Sequence, residues 1–362
     1  MKKYLIAPVA LVWVCLTLWA WLAPAESLSV SERRPLQQMP AISTQSLLDG
    51  SFTKKFESYT LDQFPLRDSF RTLKSLSAYG LFLQKDNNGI YIQDGYGAKL
   101  EYPLSAPSVS HALKRFSYLY ETYLQNTDCS IFLTVIPDKG YYLAEPNGYP
   151  AMDYKRLLER LQTGMPWAEF VDITAALDIT DYYRTDTHWR QEKLTEVAER
   201  LCSALGVRPL QDEPIPTLAT QQFYGVYYGQ AALPMKAESL FVVENALLKD
   251  CRVYLHETKA YTGIYDLQRL SGADPYDVYL SGPQAVLTIE NPSAATDREL
   301  VIFRDSFGSS LAPLLVQDYA KVTLVDIRYV SSALLGQYLT FHNQDVLFAY
   351  STLILNNSAS LK

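Results

Sequence analysis

Between Ser130 and Thr352 short apolar runs alternate with stretches of helical spacing, and this alternation constrains the fold more than any other feature. The apolar runs are SIFLTVIPDK (130–139), AEFVDITAAL (168–177), ELVIFRD (299–305), KVTLVDIRYV (321–330) and DVLFAYST (345–352). Ile131–Ile136 is almost continuously apolar, the mark of a strand buried on both faces. Residues 108–126, 153–165, 306–319 and 332–342 have the spacing of helices. Strands joined by crossover helices predict an α/β fold: a parallel sheet with helices on both faces. Residues 216–298 break the pattern with the short β-rich runs SLFVVEN, CRVYLHET, YTGIYDL and AVLTIEN, which predict an antiparallel insertion.

The N-terminal residues 1–25 read as a segment that leaves the cytoplasm. Lys2 and Lys3 precede an uncharged, mainly apolar run from Tyr4 to Pro24. That run has the length of a signal anchor, with the lysines inside and the chain from about Glu26 outside. Ala23-Pro24-Ala25 equally reads as a cleavage site, which would make the protein secreted. Residues 26–50 are polar with scattered prolines and read as a linker; residues 51–83 read as two short amphipathic helices on either side of Pro65. The domain itself is expected to span residues 51–362.

Composition excludes some functions. Of the 362 residues, 48% are hydrophobic and 20% charged, so the chain has a core and is not disordered. A net charge of −7 leaves no basic stripe for phosphates, which argues against nucleic acid as a partner. The 27 tyrosines suit carbohydrate handling and ordinary β-structure alike. Cys129, Cys202 and Cys251 are widely spaced and form no disulfide framework, although one pair is compatible with the spacing. Those cysteines and the four histidines show no metal-binding spacing, so neither a metal nor a cofactor is expected.

Two stretches carry candidate chemistry. In RTDTHWR (184–190), Asp186 and His188 lie two residues apart, which places both side chains on one side of an extended segment. In VIFRDSFGSS (301–310), Ser306 follows a strand and enters a helix, where free N–H groups favour an oxyanion. Each stretch also has a plain structural reading: Asp186, Thr187 and Ser306 all have the side chains of helix N-caps. Capping accounts for neither His188 nor the adjacent Trp189. A serine hydroxyl becomes a nucleophile with a base beside it, and the base works better when a carboxylate fixes its tautomer. Ser306, His188 and Asp186 supply those three types.

TDTHW followed by a helix, and RDSFGSSLAPLL more than a hundred residues later, resemble the DHHW family and the alginate O-acetylation proteins of the AlgX and AlgJ type. LDQFPLRDSFR, VIPDK, FYGVYYGQ and DPYDVYLSGPQAVLTIEN support the resemblance, which covers roughly residues 50–355. It implies a flavodoxin-like, SGNH-hydrolase-like domain with Ser306 as nucleophile, His188 as base and Asp186 as its orienting acid. It also implies acyl transfer or ester hydrolysis on a cell-surface polysaccharide outside the cytoplasm, with a membrane-bound O-acyltransferase as partner.

Two departures mark this chain. Arg304 stands where the alginate-type proteins have glycine, and Pro283 stands where the family pattern has an asparagine. Proline offers neither an amide side chain nor an N–H to an oxyanion, and Gln284 is the substitute one residue on. That departure favours a rival reading, a catalytically weakened glycan-binding or assembly protein. Lys139 and Arg304 are candidates for holding an anionic glycan or, alternatively, partners of Asp138, Asp305 or Asp326. Tyr228, with Tyr141, Tyr142, Tyr224 and Tyr227, is a candidate for stacking on sugar rings.

Overall fold

Four of the five apolar runs of the sequence become adjacent strands of one eight-stranded sheet, and the fifth supplies its short edge strand. The computed structural model describes residues 2–212 and 214–362. The chain divides into two compact units, Met1–Asn88 with Tyr228–Met235, and Gly89–Tyr227 with Lys236–Lys362.

The first unit begins with helix α1 (Lys2–Leu22), which exposes Val9, Val12, Trp13, Leu18 and Trp19. Among the described residues no helix is long and apolar enough to cross a membrane, so the expected anchor gains no support from the structure. The Lys2 and Lys3 side chains lie outside the described residues. Helices α2 (Ser51–Asp62) and α3 (Arg67–Leu76) flank Pro65, as the sequence predicts. The segment expected as a linker is bound to them: Asp62 accepts from Arg34 and from the Gln37 amide at 2.8 Å. Ala231, in the returning segment, accepts from the Ser75 hydroxyl at 2.7 Å and the Asn87 amide at 3.2 Å.

In the second unit the hairpin β1 (Ile90–Gln93) and β2 (Tyr96–Lys99) precedes helix α4 (Ala106–Leu119), capped by Ser105. Strand β3 (Ser130–Ile136) leads to α5 (Lys139–Leu143), α6 (Tyr154–Gly164) and the two-residue β4 (Glu169–Phe170). Helix α7 (Thr195–Leu205) is followed by the antiparallel pair β5 (Ile215–Phe223) and β6 (Glu238–Glu244). Then come β7 (Arg252–Leu255), β8 (Ala260–Thr262), β9 (Val286–Glu290), β10 (Glu299–Arg304), α8 (Gly308–Leu311), β11 (Lys321–Val325) and β12 (Asp345–Ser351).

The sheet order is β8-β7-β9-β11-β10-β12-β3-β4. From β11 to β4 every pairing is parallel, with Ile302 opposite Leu324 on one side and Leu347 on the other. Successive side chains of β10 enter opposite cores. Leu300 and Ile302 pack with Val197, Leu201 and Leu205 of α7; Val301 and Phe303 pack with Phe116 of α4 and Leu157 and Leu161 of α6. The α/β architecture expected from the alternating pattern is therefore present, with both faces of the parallel sheet covered.

Several elements differ from expectation. Within 216–298 only β5 and β6 form a separate ribbon, while β7, β8 and β9 extend the main sheet antiparallel beyond β11. The expected strand 168–177 stops at Phe170 because Asp172 folds back onto the Thr174 amide, turning the chain. The expected helix 306–319 is α8 followed by a 3₁₀ turn, Ala312–Leu315; Pro313 lacks the N–H that would continue an α-helix. Residues 332–342 give only a 3₁₀ turn at Ser332–Gln337.

Candidate active site

Strand β10 ends at one buried anchor, Asp305. Asp305 accepts the Phe307 amide at 3.0 Å and the Ser351 amide at 2.8 Å, tying the turn after β10 to the end of β12. Ser306 is held between these bonds at the carboxyl edge of the sheet, half-buried. Its hydroxyl does not cap a helix: the residue before α8 is Phe307, with no side-chain cap. Ser306 Oγ lies instead 2.7 Å from His188 Nε2.

The other ring nitrogen, His188 Nδ1, lies 2.6 Å from Asp186 Oδ1, which also accepts the His188 amide at 3.0 Å. Asp186 and Thr187 cap no helix either, since α7 starts seven residues beyond His188. They sit at the tip of a tight loop closed by the bridge between Tyr182 and Trp189. The far oxygen of Asp186, Oδ2, accepts the Val226 amide at 2.8 Å. With both oxygens bonded, the carboxylate cannot rotate without losing a bond.

FYGVYYGQ (223–230) supports the family resemblance and offers Tyr224, Tyr227 and Tyr228 for stacking on sugar rings, but its tie to the Asp186 loop is made by the backbone at Gly225. Its Gly225 passes so close to Asp186 that an added Cβ would lie 2.2 Å from Asp186 Cα. A glycine is needed here for close approach of two backbones. Glu238 holds the same loop from β6, accepting the Arg184 amide at 2.8 Å and the Thr185 amide and hydroxyl at 2.7 and 2.6 Å. Thr185 Oγ1 in turn accepts the Gly225 amide. These supports pass through main-chain amides, so only the glycine gave a sequence signal.

The imidazole is sandwiched. Tyr276 stacks on it at 3.9 Å between centroids and 7° between planes, and Phe307 lies at 4.9 Å on a tilt. Burial holds the Tyr276 phenol well above its ordinary pKa, so it remains a neutral donor and acceptor, 2.8 Å from Ser310 Oγ. Trp189, beside the histidine, donates to Ser310 Oγ at 2.9 Å and to the Phe307 carbonyl at 3.2 Å. The tryptophan next to the histidine therefore pins the segment that carries the serine.

This chain has the fold of a DHHW family protein. The DHHW family protein of Eubacterium siraeum superposes with a TM-score of 0.62 at 21% identity, covering 76% of this chain and 95% of its own. PatB1 of Bacillus cereus, solved with a sulfonyl adduct, superposes at 0.57 and 15% identity over 74% and 94%. No protein-family model matches the sequence, and no curated protein does. The DHHW-type resemblance read from TDTHW and RDSFGSS thus holds at the level of the fold.

The remaining sequence candidates are not brought to the triad as ligands. Arg304 is 1% exposed, pointing into the second unit's interior, where Nη1 approaches Asp326 at 3.8 Å and burial lowers its pKa. Lys139 is 2% exposed, and its ammonium donates to main-chain carbonyls. Buried guanidinium and ammonium groups such as these cannot meet a glycan at the surface, so the expectation that they bind substrate is corrected. Gln284 is buried, donating to Ser281 within its own turn, where Leu280, Ser281 and Gly282 all have positive φ. Tyr228 belongs to the first compact unit. Among the described residues no cluster of three or more His, Cys, Asp or Glu side chains is placed to hold a metal ion.

Proposed function

We infer that the protein is an extracytoplasmic O-acetyltransferase or acetylesterase acting on a cell-surface polysaccharide through Ser306, His188 and Asp186. The observation that carries this reading is the continuous relay Asp186–His188–Ser306, with contacts of 2.6 and 2.7 Å. Ser306 Oγ attacks the acetyl carbonyl as its proton passes to His188 Nε2, and the departing donor oxygen takes that proton back. A sugar hydroxyl, or water, then attacks the acyl-enzyme with His188 again the base. Asp186 fixes Nδ1–H and stabilises the imidazolium formed in each half. The Ser306 amide at the start of the turn is assigned as one oxyanion donor.

The fold neighbour PatB1 was solved with a sulfonyl adduct, and sulfonyl electrophiles capture activated hydroxyls. The motif resemblance adds the polysaccharide substrate and a membrane-bound O-acyltransferase as partner. A second reading, a glycan-binding protein of weakened chemistry, is favoured by Pro283 alone.

Treating the full chain in detergent with a sulfonyl fluoride separates the two. The expected result is one sulfonyl group on Ser306, absent from Ser306→Ala and much slower in His188→Ala. A folded wild-type protein that neither takes the label nor cleaves a chromogenic acetyl ester would sink the enzyme reading in favour of binding.

A further inference from the structure

Lys139 is the first residue of α5, and its side chain is directed inward, against the loop that carries Asp186. Its ammonium donates to the Tyr183 carbonyl at 2.8 Å and the Arg184 carbonyl at 3.3 Å, the two residues before Thr185 and Asp186. It also sits 4.9 Å from the centroid of the Tyr227 ring. Tyr227 grips the same loop from the other side: its amide donates to the Thr185 carbonyl at 3.0 Å and its hydroxyl to Thr187 Oγ1 at 3.1 Å. One cation thus touches both the chain entering the Asp186–His188 turn and the residue that clasps it.

We propose that Lys139 is a positioning residue for Asp186 and His188, one whose charged form sets the loop geometry and makes the site sensitive to pH. The proposal rests on the catalytic reading of that pair. The mechanism leaves this lysine unused, and a buried ammonium has a large desolvation cost unless its surroundings offset it. Those surroundings are Asp186 in the loop, Glu238 on β6 and Asp138 on its own turn, all of which favour the charge. Of the charges on other packed elements, Lys99 of β2 is paired with Glu101, and Asp181 accepts the Asp178 amide. Burial outweighs these attractions and lowers the ammonium to a pKa of about 7. Below that pH the carbonyl bonds are charge-assisted and the cation faces the Tyr227 ring. Above it a neutral amine keeps ordinary hydrogen bonds and loses both attractions.

The test combines kinetics with a readout that does not need activity. A proton held between His188 Nδ1 and Asp186 gives a far-downfield NMR resonance, assignable by its absence from Asp186→Asn. In the full-length wild type that resonance is expected to broaden or move between pH 6 and 8.5, while kcat for an acetyl ester falls several-fold with KM little changed. Lys139→Met is expected to lose about tenfold in kcat at pH 6.5 and to abolish the alkaline fall; Lys139→Arg, which stays charged, restores part of kcat and shows no fall. A resonance constant from pH 6 to 8.5 in the wild type overturns the proposal, whether or not the variants fold. Wild-type kcat and resonance in Lys139→Met overturn it as well. A resonance that moves with pH in the wild type but not in Lys139→Met, in a protein that neither takes the sulfonyl label nor cleaves the ester, supports the positioning role and removes the acyl-transfer reading.

Discussion

Replacing Gly225 by alanine tests whether the Asp186 carboxylate must be held where it is. The new Cβ would lie 2.2 Å from both Asp186 Cα and Asp186 Cβ and 2.4 Å from Asp186 N, against at least 3.4 Å for ordinary contact. None of these atoms is the end of a flexible side chain, so the two backbones must part by about 1 Å. That movement stretches the 2.8 Å bond from the Val226 amide to Asp186 Oδ2 and the 3.0 Å bond from the Gly225 amide to Thr185. A displacement of that size in a catalytic group costs on the order of 10²-fold in rate. Overpacking should lower stability by roughly 1–3 kcal/mol. The assay is kcat/KM for a chromogenic acetyl ester at a temperature where both proteins are folded. Gly80→Ala is the control, because nothing lies within 4 Å of its added Cβ. A folded Gly225→Ala protein with activity within threefold of the wild type would refute the idea that this close approach sets the acid.

Asp186→Asn should keep the fold and reduce kcat by about 10³–10⁴, since an amide cannot favour the required tautomer; ester kinetics at saturating substrate check it. Trp189→Phe removes the donor to Ser310 and Phe307 and should destabilise by roughly 1–3 kcal/mol in denaturant unfolding, with a concurrent loss of activity. Lys139 titrates near 7 in the fold and near 10.5 when exposed. Between those values the unfolded chain binds the extra proton, so the wild type should gain stability relative to Lys139→Met as pH rises, by up to a few kcal/mol in melts from pH 6.5 to 10. Cys202 and Cys251 are free, buried thiols pushed up to about 12, and should react with a thiol reagent only on unfolding.

The centre of the sheet was legible because β3, β10 and β12 are apolar along nearly their whole length, which only a strand covered on both faces requires. Its antiparallel margin was not: β7, β8 and β9 are three to five residues long, and their pairing partners are set by packing across the sheet, not by their own residues. The overestimated helices at 306–319 and 332–342 had the right spacing, but spacing does not report where Pro313 interrupts the hydrogen bonds. In the site, Asp186, His188 and Ser306 were legible by chemical type alone. The direction of Lys139 and Arg304 was not, since a charged residue at a strand end reads the same whether it faces solvent or a carbonyl. The supports from Glu238, Val226 and Tyr276 escaped for a related reason: each acts through an amide or a ring face that many residues offer.

The return of residues 228–235 to the N-terminal unit has a consequence for biosynthesis. Ser75 and Asn87 donate to the carbonyl of Ala231, and Arg71 to that of Gly229. A nascent chain that has emerged through Asn88 therefore has donors whose acceptors have yet to be translated. At ribosomal speeds the missing segment arrives roughly 10–30 s later, about 140 residues on. Until then the first helices remain unfinished, so the unit begun first is completed only after β3 and the Asp186 loop have left the ribosome.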